Sequence, residues 1–108
     1  MTDRKANVYF NQELAGVLIK TRQDYLFRYD QKYLADRSKP PISLTLPKDK
    51  IEYRLEILFP FFFGLLAEGE NKDIQCRILK IDENDHFTRL IKTAGTDTIG
   101  AITVEEIA

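Results

Sequence analysis

The spacing of apolar residues changes about half way along the 108-residue chain. The first half follows the two-residue repeat of a β-strand, most clearly at Tyr25, Phe27 and Tyr29. The second half follows the three- and four-residue spacing of an amphipathic helix, as at Phe87 and Leu90. Strands followed by helices are typical of an α+β domain, and this order disfavours the alternating strand–helix units of a parallel sheet. The sequence therefore predicts an α+β fold.

The strands of the first half are predicted to pair in a small antiparallel sheet. Residues 8–10 and 14–19 predict a hairpin with Asn11 in its turn, because asparagine tolerates the backbone angles that tight hairpin turns need. Gly16, inside the second strand, predicts a bulge or a close backbone approach. Residues 25–29 predict a third strand.

The segment that follows contains a short helix and a further predicted strand. Asp30 is placed to cap a helical turn. Residues 42–46 alternate strictly between apolar and polar side chains, with Pro41 before them and Pro47 after them. This pattern predicts another half-buried strand. Strand-like segments joined by turns this short favour an antiparallel sheet.

The second half predicts about three helices and a last strand. Pro60 suits the first turn of a helix that runs to Leu66, and Gly69 is a suitable stop. The second and third helices are predicted from a capping residue followed by apolar residues at helical spacing. These are Asn71 with Ile74, Ile78 and Ile81, and Asp85 with Phe87, Leu90, Ile91 and Ala94 before Gly95. Residues 101–104 are predicted to return to the sheet as a strand.

The charge balance argues against a nucleic-acid-binding protein that depends on phosphate contacts. The net charge is −1, although residues 1–50 carry ten Lys and Arg against six Asp and Glu, and residues 51–108 carry six against eleven. The uneven split is explained either by chance and fold topology or by an acidic face that attracts a basic partner.

The compartment is predicted to be the cytoplasm. Cys76 is the single cysteine, so the chain forms no internal disulfide and suits a reducing environment. The polar N-terminus lacks the apolar core of a signal peptide. The most apolar stretch, residues 57–67, is interrupted by Pro60 and Gly64 and is too short to span a bilayer.

No group of residues predicts catalysis. His86 is the single histidine, and with Cys76 it does not supply a metal site, so we interpret His86 as a surface residue at a helix start and Cys76 as a structural thiol. The glycines at positions 95 and 100 follow a predicted helix, whereas a phosphate-binding loop leads into one. We therefore expect no cofactor, no metal and no enzymatic activity.

Three successive phenylalanines, at positions 61, 62 and 63, follow Pro60. Adjacent residues on a helix point about 100° apart around its axis, so the three rings cannot all face one core. We expect at least one ring to point away from the domain's own core, where a large exposed aromatic is a candidate anchor for a partner. The alternative is that the domain covers both sides of this helix.

A series of short motifs, in order over roughly residues 7–104, resembles the N-terminal domain of the HipA toxin-kinase family. The matching segments are Phe27-Arg28-Tyr29-Asp30 with Tyr33-Leu34, Pro41-Ile42-Ser43-Leu44-Thr45-Leu46-Pro47, residues 59–69, Phe87-Thr88-Arg89-Leu90 and residues 95–104. Each motif alone is weak, but their order and separations together are specific. Phe63 stands where that family usually has Asp or Asn, and Ala67 where it usually has Pro.

The resemblance implies a role in a toxin–antitoxin system. HipA proteins are serine/threonine kinases that carry this domain in front of the kinase core, and relatives that consist of this domain alone are HipS-type antitoxins. We therefore expect residues 1–108 to form one HipA N-terminal-like domain that binds and restrains a HipT-like kinase, in a complex that also holds a HipB-like DNA-binding protein. The alternative is an assembly subunit that bridges the kinase to the HipB-like repressor without inhibiting it. Neither role requires direct contact with nucleic acid or with a membrane.

The predicted contact surface for the kinase is the helix that carries the phenylalanines and the loop after it. An apolar residue in place of a polar one makes Phe63 the first candidate. The predicted partner-binding residues are Phe61, Phe63, Glu68, Gly69, Glu70, Asn71 and Lys72.

Overall fold

The computed structural model describes residues 3–66, 69–93 and 102–107, which form one five-stranded sheet and four helices. The strands are β1 (Arg4–Phe10), β2 (Glu13–Lys20), β3 (Tyr25–Tyr29), β4 (Glu52–Leu55) and β5 (Ile102–Glu106), and the helices are α1 (Gln31–Ala35), α2 (Pro60–Phe63), α3 (Gly69–Leu79) and α4 (His86–Thr93). Every neighbouring pair of strands is antiparallel, in the order β4-β3-β2-β1-β5. The predicted α+β fold with a returning last strand is confirmed.

The β1–β2 hairpin forms where the sequence predicts it, with both of its irregular features. Asn11 and Gln12 have φ of 50° and 69°, the left-handed angles of a tight two-residue hairpin turn. The register shifts after Val8, which pairs with Gly16 while the next residue of β1 pairs with Leu14, so Ala15 is the extra residue of a bulge. The prediction of a bulge or a close backbone approach at Gly16 is confirmed in both respects, because the bulge residue adjoins Gly16 and the main chain of Arg28 lies close to it.

The prediction of a strand at residues 42–46 is wrong. These residues form turns, and β4 occupies the position beside β3 instead. The burial of the segment departs from the alternation, because Ile42 and Leu46 are buried while Leu44, which a half-buried strand would bury with them, is 96% exposed. A turn closed by the Leu46 amide on the Ser43 carbonyl produces this pattern, so the alternation alone did not identify a strand.

Side chains of the regular elements hold this irregular segment in place. The buried Tyr29 hydroxyl accepts a hydrogen bond from the Ile42 amide at 3.1 Å and donates one to the Leu46 carbonyl. Tyr33 of α1 donates to the Pro40 carbonyl. The Lys48 ammonium donates to the carbonyls of residues 36 and 39, at 2.6 and 2.8 Å. These bonds satisfy main-chain groups that the segment would otherwise leave unpaired.

The core lies between one face of the sheet and the helices. Phe27 at the centre of β3 contacts the ring of Phe62 from α2, with ring centroids 5.8 Å apart. Phe87 and Leu90 of α4 are fully buried in the same cluster. Arg28, whose side chain points to the opposite face of the sheet, is exposed. The buried cluster that contains Phe27 therefore lies on the helix-bearing face.

Two of the three predicted helices differ in detail from the prediction. The first is shorter, because α2 ends at Phe63 with Gly64 as its C-cap and continues only as turns to Leu66. The second begins at Gly69, with φ of 61°, so this glycine opens α3 and Asn71 lies inside the helix.

The apolar stripe predicted for the second helix does not face the core. Ile74 and Ile78 are exposed, and Cys76 is the buried residue of α3. The spacing of apolar residues gives a helix and its apolar side, but it does not say whether that side packs on the same chain.

The third predicted helix is confirmed as α4. The Asp85 carboxylate accepts hydrogen bonds from the amide and the hydroxyl of Thr88, at 3.1 and 2.7 Å, which caps the helix as expected. Asp30 caps α1 in the same way through the amides of Lys32 and Tyr33. The predicted stop at Gly95 and the turn to residue 100 lie outside the described residues. Among the helices that are described, none has the length and apolar character needed to cross a membrane.

Replacing Gly16 with alanine is expected to destabilise the fold. A Cβ at this position would lie 2.4 Å from the Arg28 carbonyl oxygen and 2.7 Å from Cζ of Phe27, so the sheet would have to move. We expect Gly16→Ala to lower the free energy of unfolding by about 2–3 kcal/mol, as overpacking does. Gly64→Ala is the control, because its Cβ meets nothing nearer than 3.4 Å. Chemical denaturation of both variants would show equal stabilities if the close approach at Gly16 were not real.

Removing the Tyr29 hydroxyl tests the anchoring of residues 42–46. Tyr29→Phe leaves the Ile42 amide and the Leu46 carbonyl without this partner in a buried site, and we expect a loss of about 1–3 kcal/mol in urea denaturation. Tyr9→Phe on β1 is the control, because its half-buried hydroxyl accepts a bond from the Asn7 side-chain amide at 3.3 Å and holds no described main-chain group. We therefore expect a smaller loss for this variant, about 0.5 kcal/mol. Faster hydrogen exchange at Ile42 in Tyr29→Phe would identify the anchored segment as the part released.

Candidate partner-binding surface

The three phenylalanines of α2 point in different directions. Phe62 is fully buried. Phe61 is half-buried and packs edge-on against Phe62, with ring centroids 5.2 Å apart. Phe63 is 42% exposed. The expectation that one ring points away from the domain's own core is confirmed, and that ring belongs to Phe63.

Phe63 lines an apolar groove on the surface, which we call the Phe63 groove. It has a volume of about 460 Å³ and is lined by Ile57, Leu58, Pro60, Phe63, Gly64 and His86. Ile57, in the bend after β4, is 67% exposed. An adjoining depression of about 320 Å³ shares Ile57, Leu58 and His86 and adds the cationic side chains of Lys20 and Arg22. The two form a continuous concave surface with an apolar end and a charged end.

His86 forms one wall of the Phe63 groove. It is the first residue of α4, and its ring meets the Phe63 ring edge to face with centroids 5.1 Å apart. Its Nδ1 lies 3.3 Å from Nη1 of Arg89. Burial lowers the pKa of the His86 imidazole below 6.5, and the nearby cations Arg89 and Lys72 lower it further. His86 is therefore uncharged at neutral pH, which suits an apolar wall.

The predicted loop residues form the start of α3. Gly69, Glu70 and Asn71 are exposed in its first turn, and Lys72 is half-buried. The positive charge of Lys72 lowers the pKa of His86, a wall residue of the groove. Glu68 lies outside the described residues. Of the predicted set, Phe61 contributes least, since its ring packs largely within the domain.

Three apolar residues of the surface were not predicted from the sequence. Ile57 was treated as part of an apolar stretch, although its side chain lines the groove. Ile74 and Ile78 were predicted only as apolar residues at helical spacing, and they are 48% and 71% exposed on α3. Their four-residue spacing was the correct signal for a common side of the helix. Nothing in the spacing indicates which side the domain covers.

The described residues contain no cluster of potential metal ligands. Within residues 3–66, 69–93 and 102–107, no group of three or more His, Cys, Asp and Glu is arranged to hold a metal ion. Cys76 is buried in α3, where apolar surroundings suit a structural thiol.

The HipA N-terminal domain family model matches residues 6–105 of the chain. The protein belongs to the HipA N-terminal domain family. Its fold is similar to that of a solved N-terminal domain of HipA toxin, with a TM-score of 0.74 and 26% sequence identity, and the match covers 100% of this chain and 98% of that one.

Two proteins that are similar in sequence to this chain differ greatly in length. An uncharacterized protein of Haemophilus influenzae is 29% identical over 103 residues, which are 95% of this chain and 92% of that protein. The putative kinase Y4mE of Sinorhizobium fredii is 30% identical over 103 residues, which are 94% of this chain but only 24% of the kinase. The same domain thus corresponds to nearly all of one relative and to about a quarter of another.

The lowered pKa of His86 predicts a measurable titration. We expect the His86 resonance in NMR to titrate with a midpoint below 6.5, and the midpoint to rise in Lys72→Ala because a nearby positive charge is lost. Lys92→Ala removes an exposed cation from α4, the helix that carries His86. It is the control and is expected to leave the midpoint of His86 unchanged. A midpoint that is the same in all three proteins would mean that the first turn of α3 lies away from the Phe63 groove.

Proposed function

We propose that this protein is a non-catalytic, HipS-like antitoxin that binds a HipT- or HipA-like serine/threonine kinase in the cytoplasm and restrains it. The single observation that carries the proposal is the exposed Phe63 ring and its groove on a domain of the HipA N-terminal family. In this proposal residues 1–108 act as one domain. The protein needs no cofactor, and it contacts neither nucleic acid nor membrane directly.

The comparisons support a kinase as the partner. A region similar to nearly all of this chain makes up 24% of the putative kinase Y4mE, and the structural relative is a domain of HipA toxin. A domain that is joined to a kinase in one protein is a natural binding partner for a kinase in another. The relationship therefore favours docking on a kinase core over docking on an unrelated protein.

The Phe63 groove has the composition of an interface centre. A half-exposed aromatic with an exposed aliphatic neighbour, Ile57, resembles the few apolar residues that dominate binding energy at protein interfaces. The polar first turn of α3, with Glu70, Asn71 and Lys72, supplies the rim that excludes water around such a centre. The uncharged His86 beside Phe63 lowers the cost of removing water from the groove.

Ile74 and Ile78 extend the surface along α3. They are one helical turn apart and both exposed, as expected for a helix face that a partner covers. A kinase that contacts both the groove and this face would bury apolar side chains that the isolated domain leaves in water. Binding of this kind restrains the kinase by occupying its active-site entrance or by holding it in an inactive arrangement.

The test is phosphorylation by the HipT-like kinase with increasing amounts of this protein. We expect kinase activity to fall as the protein is added, and we expect Phe63→Ala and Phe63→Asp to weaken binding by about 30-fold or more, since an anchor residue contributes about 2 kcal/mol or more. Leu44→Ala is the matched control, because Leu44 is an even more exposed apolar side chain in the segment before β4. Circular dichroism would establish that the variants remain folded.

Two outcomes would change the proposal. Unchanged kinase binding by both Phe63 variants would remove Phe63 as the anchor. Constant kinase activity while the two proteins still co-elute would favour the assembly role, in which the domain bridges the kinase to a HipB-like repressor. In that case removing this protein from a complex with a catalytically dead kinase should change the affinity of the complex for its operator.

A further inference from the structure

The β4 edge of the sheet exposes unpaired main-chain groups. β4 has β3 as its only neighbour in the described sheet. The Tyr29 amide donates to the carbonyl of Ile51, which lies opposite it, at 2.8 Å. This bond shows which residue pairs of β3 and β4 are the hydrogen-bonded ones. Hydrogen-bonded and non-bonded pairs alternate in an antiparallel ladder, so Tyr53 and the residue at 55 direct their main-chain groups towards β3. The N–H and C=O groups of Glu52 and Arg54 therefore point outward.

The pairing of β3 with β2 leads to the same orientation of the Glu52 main-chain groups. The Asp30 amide donates to the Ala15 carbonyl, so Arg28 directs its own main-chain groups towards β2. Arg28 is the partner of Glu52, and Glu52 must then face away from β3. No other described residue forms a main-chain hydrogen bond with Glu52 or Arg54.

The outer edge of β4 is open to solvent. Arg54 and Leu55 are exposed, and Ile51, just before the strand, is 39% exposed. An open edge with unpaired N–H and C=O groups accepts a further strand, and proteins usually block such an edge with charges. Here the charges alternate in sign, Glu52 then Arg54, and this alternation decides what the edge accepts.

We propose that two copies of this protein pair through their β4 edges, antiparallel about a two-fold axis at Tyr53, and so form a continuous ten-stranded sheet. In this register Glu52 of each copy lies opposite Arg54 of the other, and Ile51 lies opposite Leu55. Both Glu52 and Arg54 face outward, so each such pair exchanges two main-chain hydrogen bonds, and symmetry gives four in all.

Charge distinguishes this register from its neighbours. Shifting the axis to Arg54 places the two Arg54 side chains opposite each other and pairs Glu52 with Glu56, which is repulsive. With the axis at Glu52, the two copies of Glu52 lie opposite each other and Arg54 lies opposite Lys50, which is also repulsive. An axis at Leu55 would pair Arg54 with Glu56, but Glu56 lies in the bend after β4 and no longer continues the strand.

The existing ion pairs of the edge are compatible with this arrangement. Glu52 bonds Arg28 at 3.3 Å on the outer face of the sheet, and Arg54 bonds Asp24 at 2.7 Å. In the dimer each Glu52 carboxylate lies between Arg28 of its own chain and Arg54 of the second copy. A row of alternating charges then runs across the two-fold axis, and cross-strand pairs of this kind stabilise a sheet.

This inference is independent of the proposed kinase binding, and its test uses the purified protein alone. Sedimentation velocity over a concentration series up to about 1 mM is expected to show a monomer–dimer equilibrium, as small interfaces associate weakly. Amide hydrogen exchange at Glu52 and Arg54 should slow as the fraction of dimer increases with concentration. A protein that is monomeric throughout, with unchanged exchange at these two amides, would overturn the proposal.

Charge reversal tests the register. Glu52→Arg and Arg54→Glu each place like charges opposite each other, so each variant alone is expected to be monomeric over the same concentrations. An equimolar mixture of the two restores opposite charges at both pairs and is expected to form a heterodimer. The double variant Glu52→Arg/Arg54→Glu is expected to self-associate like the original protein, which a merely misfolded edge would not do.

Glu105→Arg is the matched control, since it reverses an exposed charge on β5, the strand at the opposite end of the described sheet. It is expected to leave dimerisation unchanged. Loss of the dimer in Glu105→Arg, with retention in Glu52→Arg, would contradict pairing through β4. Failure of the mixture to associate while each variant remains folded by circular dichroism would contradict the charge pairing.

Discussion

The hydroxyl of Tyr29 joins the regular and irregular halves of this structure. Its ring stacks on Tyr33 and meets Phe27 edge-on, which places it in the core, while its oxygen bridges the Ile42 amide and the Leu46 carbonyl. The segment between α1 and β4 has no ladder of its own, so its backbone groups depend on side chains of the sheet and of α1. With this segment held, the chain enters β4 beside β3, and the sheet gains both its fourth strand and its open edge.

The positions of β4 and α2 together produce the surface beside Phe63. The chain leaves β4 through the bend at Ile57 and enters α2 at Pro60, so Phe62 reaches the core while Phe63 remains outside. α4 then brings His86 against the exposed ring. A short helix with three successive aromatics thus serves the fold and the surface at once, because adjacent positions on a helix face different directions. The β4 edge and the Phe63 groove lie on either side of the same bend, yet one offers main-chain hydrogen bonds and the other apolar packing.

Much of the fold was predictable because its signals are local. A two-residue alternation in β3, left-handed turn residues at Asn11, and the carboxylate caps Asp30 and Asp85 each depend on neighbours within a few residues. The divergence of the three phenylalanines was predictable for the same reason. Residues 42–46 were predicted wrongly because their apolar residues alternate as in a strand. The hydrogen bonds that hold them as a turn come from Tyr29, which lies 13 residues before Ile42 and 17 residues before Leu46.

The sequence by itself determined the α+β class, the hairpin with its bulge, the family and the fact that one ring of α2 must leave the core, since each follows from local spacing or from motifs in order. Only the tertiary structure decided which elements share a surface. It placed His86 against Phe63, left Ile74 and Ile78 in solvent, and put β4 at an edge with the main-chain groups of Glu52 and Arg54 facing outward. The physical reason is that burial and strand order are set by contacts between residues far apart in the chain, and a local pattern does not contain them.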